Sequence, residues 1–103
     1  MFKAIILLKR HENTSTQKFR NWWIGEHAAL ARQLPRLKRL CFNLVESENA
    51  FYDGISELWF ETEADFESAY QSEIGKAVAA DSMAHVSRRD RLIVHENEIL
   101  TTS

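Results

Sequence analysis

The sequence predicts an α+β fold of the split βαβ, or ferredoxin-like, kind: a four-stranded antiparallel sheet with two helices on one face. The first observation is the order of patterns along the chain, which runs strand, helix, strand, strand, helix, strand. The second is that no strand has a clearly polar face, although the helices can cover only one side of such a sheet. The 103 residues suffice for one core, so we expect residues 1–103 to form a single domain.

The first half of the chain is predicted to form a strand followed by a long helix. Residues 1–10 contain a near-continuous apolar run that is typical of a strand. Thr14 stands three residues before Gln17, the spacing of a capping box, and predicts a helix over residues 15–34. Pro35 ends this helix, because the residue before a proline avoids the helical region. The apolar stripe of the helix comprises Phe19, Trp23, His27, Leu30, Ala31 and Leu34.

The second half is predicted to contain three strands and a kinked helix. The strands are expected at residues 37–45, 54–60 and 91–99. Thr62 can cap the second helix, and Ser72 is expected to cap it again after a kink. The helical pattern then continues through Ile74 and Val78 and extends as far as Val86.

The uncovered face of the sheet predicts self-association. With helices on one face, roughly eight apolar side chains remain on the other, more than a soluble monomer usually exposes in one patch. Burying that face in a symmetric pair is worth well over ~10 kcal/mol before the costs of association. We therefore expect a homodimer in which the two sheets pack face to face.

Composition and charge exclude several classes of protein. The net charge of −2 is too close to neutral to indicate a nucleic-acid-binding protein. The apolar run at residues 4–8 is too short for a signal peptide or a membrane span. Cys41 is the only cysteine, so no internal disulfide can form, and the reducing cytoplasm is the expected location. Cys41 is a nucleophile only if a base lies beside it, and is otherwise a small core residue.

His27 is the first candidate catalytic residue. It lies on the apolar stripe of the first helix, four residues after Trp23. An imidazole in such a place can move a proton or bind an oxygen, since histidine titrates near neutral pH. The alternative is a core histidine whose nitrogens bond to backbone carbonyls or to Glu57.

Glu57 is the second candidate catalytic residue. It lies in mid-strand between Ile55 and Trp59, on a face that is otherwise apolar. A desolvated carboxyl group has a raised pKa, so Glu57 would act as an acid or base, or would orient His27. Alternatively, it forms a salt bridge or hydrogen bond inside the fold, or reaches water at an edge.

Other side chains predict a site for a small molecule. The expected substrate contacts are Trp23, Phe42, Asn43 and Trp59, of which the three aromatic residues supply apolar walls. Tyr52 and His95 are weaker candidates for the same cavity, because each is equally suited to the surface.

No motif for a metal or cofactor appears. The four histidines are scattered without His-x-x-x-His or cysteine spacing, which predicts no metal site. No glycine-rich phosphate loop or Gly-x-Ser-x-Gly turn is present, so no cofactor is expected. Basic residues cluster at 32–39 and 88–91, where they are solvated or draw an anionic substrate toward a pocket.

Two motifs resemble the signatures of the EthD family. The first helix carries Phe19-Arg20-x-x-Trp23-x-x-x-His27, continued by Leu30-Ala31-x-x-Leu34-Pro35-x-Leu37, and the third strand carries Asp53-Gly54-Ile55-x-Glu57-x-Trp59-Phe60. The resemblance implies a dimeric α+β barrel, in which two ferredoxin-like protomers pack sheet to sheet. It also implies chemistry in a pocket inside each protomer, usually without a cofactor, and it places His27 in that pocket.

The resemblance is to a family associated with bacterial catabolic gene clusters, including those for ethyl tert-butyl ether degradation. Related barrels include methylmuconolactone isomerases, lyases, cyclases and monooxygenases. Where methylmuconolactone isomerases carry a tyrosine and a cysteine, this chain has Leu40 and Leu58. That departure argues against this particular isomerisation.

Three hypotheses about function follow. The leading one is a cofactor-independent catabolic enzyme, isomerase-like or lyase-like, or an auxiliary protein that binds a small apolar oxygenated molecule beside His27. The second is a non-catalytic ligand-binding or accessory subunit of an oxygenase, and a barrel-type monooxygenase is a variant of the enzymatic hypothesis. The third is a structural dimer without a cavity.

Overall fold

The computed structural model describes residues 1–103 and shows a four-stranded antiparallel sheet with helices on one face. The elements are β1 Phe2–Arg10, α1 Thr16–Trp22, a π-helical turn Trp23–His27, α2 Ala28–Ala31, β2 Arg39–Leu44, β3 Gly54–Phe60, α3 Glu63–Gln71, α4 Glu73–His85 and β4 Val86–Val94. The strands lie side by side in the order β2-β3-β1-β4. The predicted ferredoxin-like order of elements is confirmed.

The first helix is continuous from α1 through the π-helical turn to α2. Its N-cap is Ser15, whose hydroxyl accepts a hydrogen bond from the N–H of Lys18 at 3.1 Å. The expected cap at Thr14 is wrong, because the N–H of Thr14 donates to the carbonyl of His11 and closes a turn before the helix. The helix ends at Ala31, slightly earlier than the sequence predicts.

The second helical segment is divided in two, as the sequence predicts. The hydroxyl groups of Thr62 and Ser72 cap α3 and α4 and accept from Asp65 and Gly75, each at 3.1 Å. A Cβ at Gly75 would collide with the backbone of the preceding helix, so the glycine allows the tight kink. The longest helix, α4, has 13 residues, and no helix has the length and hydrophobicity of a transmembrane segment.

The last strand lies earlier in the chain than expected. It spans Val86–Val94 rather than residues 91–99, and Val86 belongs to the strand rather than to the helix. β4 pairs with β1 from Arg10 opposite Val86 to Lys3 opposite Val94. Because β1 begins at Phe2, it offers no further backbone to residues 95–99. The extent of β1 therefore sets the end of β4.

The core fills the space between the helices and the face of the sheet that they cover, called here the inner face. The inner face contributes Ala4, Ile6, Leu8, Leu58 and Phe60. The predicted helical stripe packs against it, with Phe19, Trp23, His27, Ala31 and Leu34 all buried. The sheet and the first helix thus share one core, and an ionisable ring lies within it.

No helix of the protomer covers the opposite side of the sheet, called here the outer face, but the segment after β4 reaches it, where Glu96 accepts from Lys3 and Trp59. The strand pairing places Ile5, Leu7, Cys41, Ile55, Trp59, Leu92 and Val94 on this face. Lys3 and Glu57 lie among them and form an ion pair with a distance of 2.8 Å between Nζ and Oε2. The outer face is therefore less uniformly apolar than the sequence suggests.

Candidate active site

His27 is held at the end of the π-helical turn, in the core between the first helix and α4. The turn is defined by the N–H of Ala28, which donates to the carbonyl of Trp23 five residues earlier. Because five residues then complete about one turn, the rings of Trp22 and His27 lie close, with centroids 4.8 Å apart. His27 is only 4% exposed.

Asp81 of α4 fixes the orientation of the His27 ring. One carboxylate oxygen of Asp81, Oδ2, lies 2.9 Å from Nδ1 of His27 and also accepts from the indole N–H of Trp22 at 3.1 Å. The other oxygen, Oδ1, lies 3.3 Å from Nδ1 of His85, whose ring stacks on Trp22. Two hydrogen bonds to a single carboxylate oxygen therefore lock the histidine and the neighbouring tryptophan together.

This contact determines which nitrogen of His27 carries the proton. A carboxylate can only accept, so the ring proton lies on Nδ1 and the neutral ring presents a lone pair at Nε2. The hydroxyl of Ser82 is 3.4 Å from Nε2, a long distance for a hydrogen bond. Burial lowers the pKa of His27, and the hydrogen bond to Asp81 opposes that effect. The ring is thus poised as a neutral base.

His27 belongs to the wall of a narrow, mainly apolar cavity, which Ser82, the partner of its Nε2, also lines. The cavity is lined by Ile6, Leu8, Trp23, His27, Ala31, Leu40, Phe42, Ser56, Leu58, Tyr70, Val78 and Ser82. Its empty volume is about 280 Å³, but the centre of a water molecule can reach only about 10 Å³ of it. That is room for about one water, so a larger molecule enters only when side chains at the edge move.

Phe42 and Leu40 separate this cavity from the surface. Both residues also line an open groove between the first helix and the edge strand β2, together with Ile24, Ala28 and Arg32. About 410 Å³ of the groove is open to water. Phe42 stacks on Trp23 with ring centroids 4.4 Å apart. Rotation of the Phe42 and Leu40 side chains would join the groove to the cavity at an edge of the sheet.

Glu57 does not lie beside His27, so the expectation that it orients the histidine is wrong. Its neighbours Ser56 and Leu58 line the cavity, and successive strand residues point to opposite faces. Glu57 therefore lies on the outer face, where it pairs with Lys3 and accepts from Asn43 at 3.0 Å. The hydrogen bond with Lys3 is the main cause of a lowered pKa at Glu57, not the raised value that desolvation alone predicts.

The other predicted site residues divide between the two faces. Trp23 and Phe42 line the cavity as expected. Asn43 and Trp59 lie on the outer face, where the indole N–H of Trp59 donates to Glu96 at 3.1 Å. Strand alternation explains this division, because Asn43 is the immediate neighbour of Phe42, and Trp59 of Leu58.

The weaker candidates also lie away from His27. The hydroxyl of Tyr52 donates to Asp90 at 2.6 Å. His95 is exposed in the segment after β4. Cys41 is half-buried on the outer face, opposite Glu57 in the register.

A family model for the EthD domain matches residues 11–88, which is most of the chain and includes His27, Asp81 and Ser82. The chain belongs to the EthD family. No curated protein sequence matches it.

Solved structures match this EthD domain at the level of the fold. An ethyl tert-butyl ether degradation (EthD) family protein from Bacillus halodurans has a TM-score of 0.82 and 20% identity, over 94% of this chain and 100% of that chain. A hydroxynitrile lyase from Passiflora edulis has a TM-score of 0.77 and 17% identity, over 97% of this chain and 96% of that chain. A dimeric ferredoxin-like protein of unknown function from Thermobifida fusca has a TM-score of 0.74 and 17% identity, over 90% of this chain and 88% of that chain.

A cofactor-independent oxygenase from Streptomyces nogalater also matches the EthD domain, with a TM-score of 0.72 and 11% identity over 98% and 97% of the two chains. A lyase and an oxygenase thus share one fold. Since a fold does not select a reaction, the activity of this EthD domain depends on its own side chains.

Sequence reasoning missed Asp81 and Ser82 in this EthD domain. Both are adjacent on α4, and both contact His27, which is more than 50 residues away in the chain. The available signal was an aspartate on the apolar helix pattern between Val78 and His85. That signal is weak by itself, because an aspartate near the C-terminal end of an amphipathic helix is usually solvated.

Proposed function

We propose that this protein is a cofactor-independent enzyme that transfers a proton to or from a small, largely apolar, oxygenated molecule, with His27 as the acid–base group. The observation that carries the proposal is the pairing of His27 with Asp81. It leaves the lone pair of the neutral ring on Nε2, and the ring lines an apolar cavity. A buried, oriented histidine is a common device for moving a proton at near-neutral pH.

Asp81 acts in this proposal as a positioning residue. It holds the Nδ1 proton, so Nε2 is the only nitrogen that can accept one from a substrate. When Nε2 accepts the proton, the ring becomes a cation, and the carboxylate at 2.9 Å stabilises that charge. Ser82 donates to Nε2, and this long 3.4 Å contact is easily replaced by a substrate.

The apolar lining of the cavity beside His27 favours a substrate with little polar surface. Trp23, Leu58 and Leu8 are almost fully buried around the cavity. Exclusion of water from such a site strengthens the electrostatic effect of the His27–Asp81 pair. An isomerisation or an elimination of the lyase type needs no more than one base that later returns its proton.

A second candidate function is a ligand-binding or accessory subunit without turnover, for instance beside an oxygenase system such as one for ethyl tert-butyl ether degradation. One observation favours it: both ring nitrogens of His27 already have protein partners, Asp81 and Ser82. The two candidates differ in whether a bound molecule exchanges or loses hydrogen.

We propose that the protein acts as a homodimer through the outer face. Leu92 is 52% exposed there and lies beside Ile5 in the sheet. Exposed apolar side chains on a sheet face are stabilised when a second copy covers them. The dimeric protein from Thermobifida fusca shows that this fold can assemble in pairs.

The enzymatic proposal is tested by incubating the protein in heavy water with a panel of small ketones, lactones and cyanohydrins. NMR and mass spectrometry then report deuterium incorporation or conversion. We expect turnover of at least one compound, and a decrease of about 100-fold or more in His27→Gln, since general acid–base catalysis typically contributes that much. His95→Gln is the matched control, because His95 is exposed and outside the cavity.

The variant Asp81→Asn tests whether Asp81 acts on the protonation of His27 or only supports the fold. Removing the negative charge lowers the pKa of His27 further, so the decline of activity at low pH should move to lower pH.

Binding of a panel compound without any hydrogen exchange or conversion would support the accessory function instead. Equal rates in the wild type and His27→Gln would refute the catalytic role of His27.

A further inference from the structure

Trp23 carries a buried hydrogen-bond donor without a partner. The residue is 0% exposed, and its indole Nε1–H contacts no acceptor in the protein. The other two tryptophans are satisfied: Trp22 donates to Asp81 and Trp59 to Glu96, each at 3.1 Å. Because native proteins pair almost all buried polar groups, this donor is available to an acceptor from outside the chain, either a water molecule or a bound ligand.

The donor lies on an indole ring that lines the same cavity as His27. The benzo edge of the ring is packed against Gly54, where a Cβ would lie only 2.6 Å from Cη2 and Cζ3. Nε1 is on the opposite edge, away from Gly54. One face of the ring is covered by Phe42, which stacks on it at 4.4 Å. These contacts fix the ring, so the direction of the N–H is also fixed.

The other polar side chains of the cavity, apart from His27, are the hydroxyl groups of Ser56, Ser82 and Tyr70. Ser56 donates to the carbonyl of Ile6 and Ser82 to Nε2 of His27, each over a long distance of 3.4 Å. The guanidinium group of Arg89 lies over the ring of Tyr70, with Cζ 6.0 Å from the ring centroid. Neither a carboxylate nor a lysine or arginine side chain lines the cavity. A charged ligand would thus be buried without a counterion, which is costly, and an uncharged ligand is favoured.

We propose that Trp23 Nε1–H donates a hydrogen bond to the oxygen of the bound molecule, and that the ligand is an uncharged carbonyl compound with hydrogen on the carbon next to the carbonyl. This inference rests on the proposed function, since it pairs the Trp23 donor with the His27 base. A fixed N–H and a lone pair in one apolar cavity are complementary to a carbonyl oxygen and an acidic C–H.

The proton transfer balances without another reactant. Nε2 of His27 removes a proton from the carbon next to the carbonyl, and the electron pair of that C–H bond forms a carbon–carbon double bond. The carbonyl π pair moves to the oxygen, and the resulting enolate oxygen accepts from Nε1–H of Trp23. Return of the proton from Nε2 to carbon restores the ketone or gives its isomer. A donor aimed at the developing oxyanion stabilises the transition state more than the ground state.

The test uses cyclohexanone and methylenecyclohexane, which share a shape but differ in the oxygen. The wild-type protein is labelled with ¹⁵N in its indole rings, and the Trp23 signal is assigned by its absence in Trp23→Phe. We expect cyclohexanone to shift the Nε1–H signal of Trp23 downfield and to leave that of Trp59 in place. We also expect cyclohexanone to bind about tenfold more tightly than methylenecyclohexane, a preference that Trp23→Phe abolishes.

Several results would overturn the inference. These are equal binding of the two probes to the wild type, an unshifted Trp23 signal in the presence of bound cyclohexanone, or no binding of cyclohexanone. Should Trp23→Phe fail to fold, the wild-type spectra alone decide, and benzothienylalanine at position 23 replaces N–H by sulfur at nearly constant shape.

Hydrogen exchange separates this inference from the proposed function. If cyclohexanone exchanges its hydrogens in heavy water without a shift of the Trp23 signal, the donor role is rejected and His27 remains the base. If the Trp23 signal shifts but no exchange occurs, the donor role stands and the catalytic role of His27 is rejected.

Discussion

At the scale of residues, burial and Asp81 act on the protonation of His27 in opposite directions. Burial disfavours the imidazolium and is the larger effect, so the pKa of His27 lies below its ordinary value of 6.5. Asp81 favours the imidazolium but does not restore the ordinary value. The folded protein therefore keeps a neutral ring at neutral pH, while the same carboxylate can stabilise the cation that forms during proton transfer.

A dependence of stability on pH follows from the lowered pKa of His27. As the pH falls below about 6.5, the unfolded chain binds a proton at His27 before the folded protein does. The free energy of unfolding therefore keeps its full value above about pH 6.5. It decreases as the pH falls from there toward the pKa of His27 in the folded protein. Urea denaturation of the wild type and of His27→Gln, measured from about pH 8 to pH 5, should show this decrease only in the wild type.

The matched control for the pH experiment is His95→Gln, which alters an exposed histidine outside the core. It should follow the wild-type curve. Parallel curves for the wild type and His27→Gln would contradict a lowered pKa of His27. The carboxyl groups of Glu57, Asp90 and Glu96 also have lowered pKa values, but these affect stability only at more acidic pH.

At the scale of elements, the active-site geometry depends on the contact between the π-helical turn and the start of β3. Trp23 begins the turn, and its ring lies directly against Gly54 of β3. The glycine is required for this close approach and not for an unusual backbone, since no glycine has a positive φ angle. The same contact fixes the ring that forms one wall of the cavity.

Gly54→Ala should therefore destabilise the protein. Its new Cβ would lie 2.6 Å from the Trp23 ring, and overpacking of this kind typically costs about 1–3 kcal/mol. Gly25→Ala is the matched control, because no atom outside the local backbone of its own helix lies within 4 Å of its new Cβ. Since alanine favours helices, the control should be unchanged or more stable by up to about 1 kcal/mol. Chemical denaturation measures both, and equal effects would show that Trp23 is not held against Gly54.

At the scale of the whole molecule, the sheet separates two environments. The inner face, with its helices, holds His27, Asp81 and the cavity, whereas the outer face holds the Lys3–Glu57 pair among apolar side chains. Helices cover only the inner face within one protomer. The proposed assembly and the proposed catalysis thus use opposite sides of the same strands, and the neighbouring residues Glu57 and Leu58 lie on different sides.

Leu92→Glu should convert the proposed dimer to a monomer. The substitution places a charge on the outer face at a position that is 52% exposed in the protomer, so the monomer itself should still fold. Met83→Glu is the control, since Met83 is 63% exposed on α4 and away from that face. Size-exclusion chromatography with light scattering at micromolar concentration reports the mass. A monomeric wild type would refute the dimer and, with it, the barrel.

The sequence by itself determined the order of the elements, the caps at Thr62 and Ser72, the burial of the helical stripe with His27, and the EthD family. The order, the caps and the stripe depend on residues a few positions apart, whose spacing follows the helix and strand periods, whereas the family was indicated by the resemblance of two motifs, around His27 and Glu57. Only the tertiary structure decided that His27 pairs with Asp81 and not Glu57, that β4 ends at Val94, and that the N–H of Trp23 is unpaired. Each of these depends on which face a strand buries and on contacts between distant segments, which local periodicity does not encode.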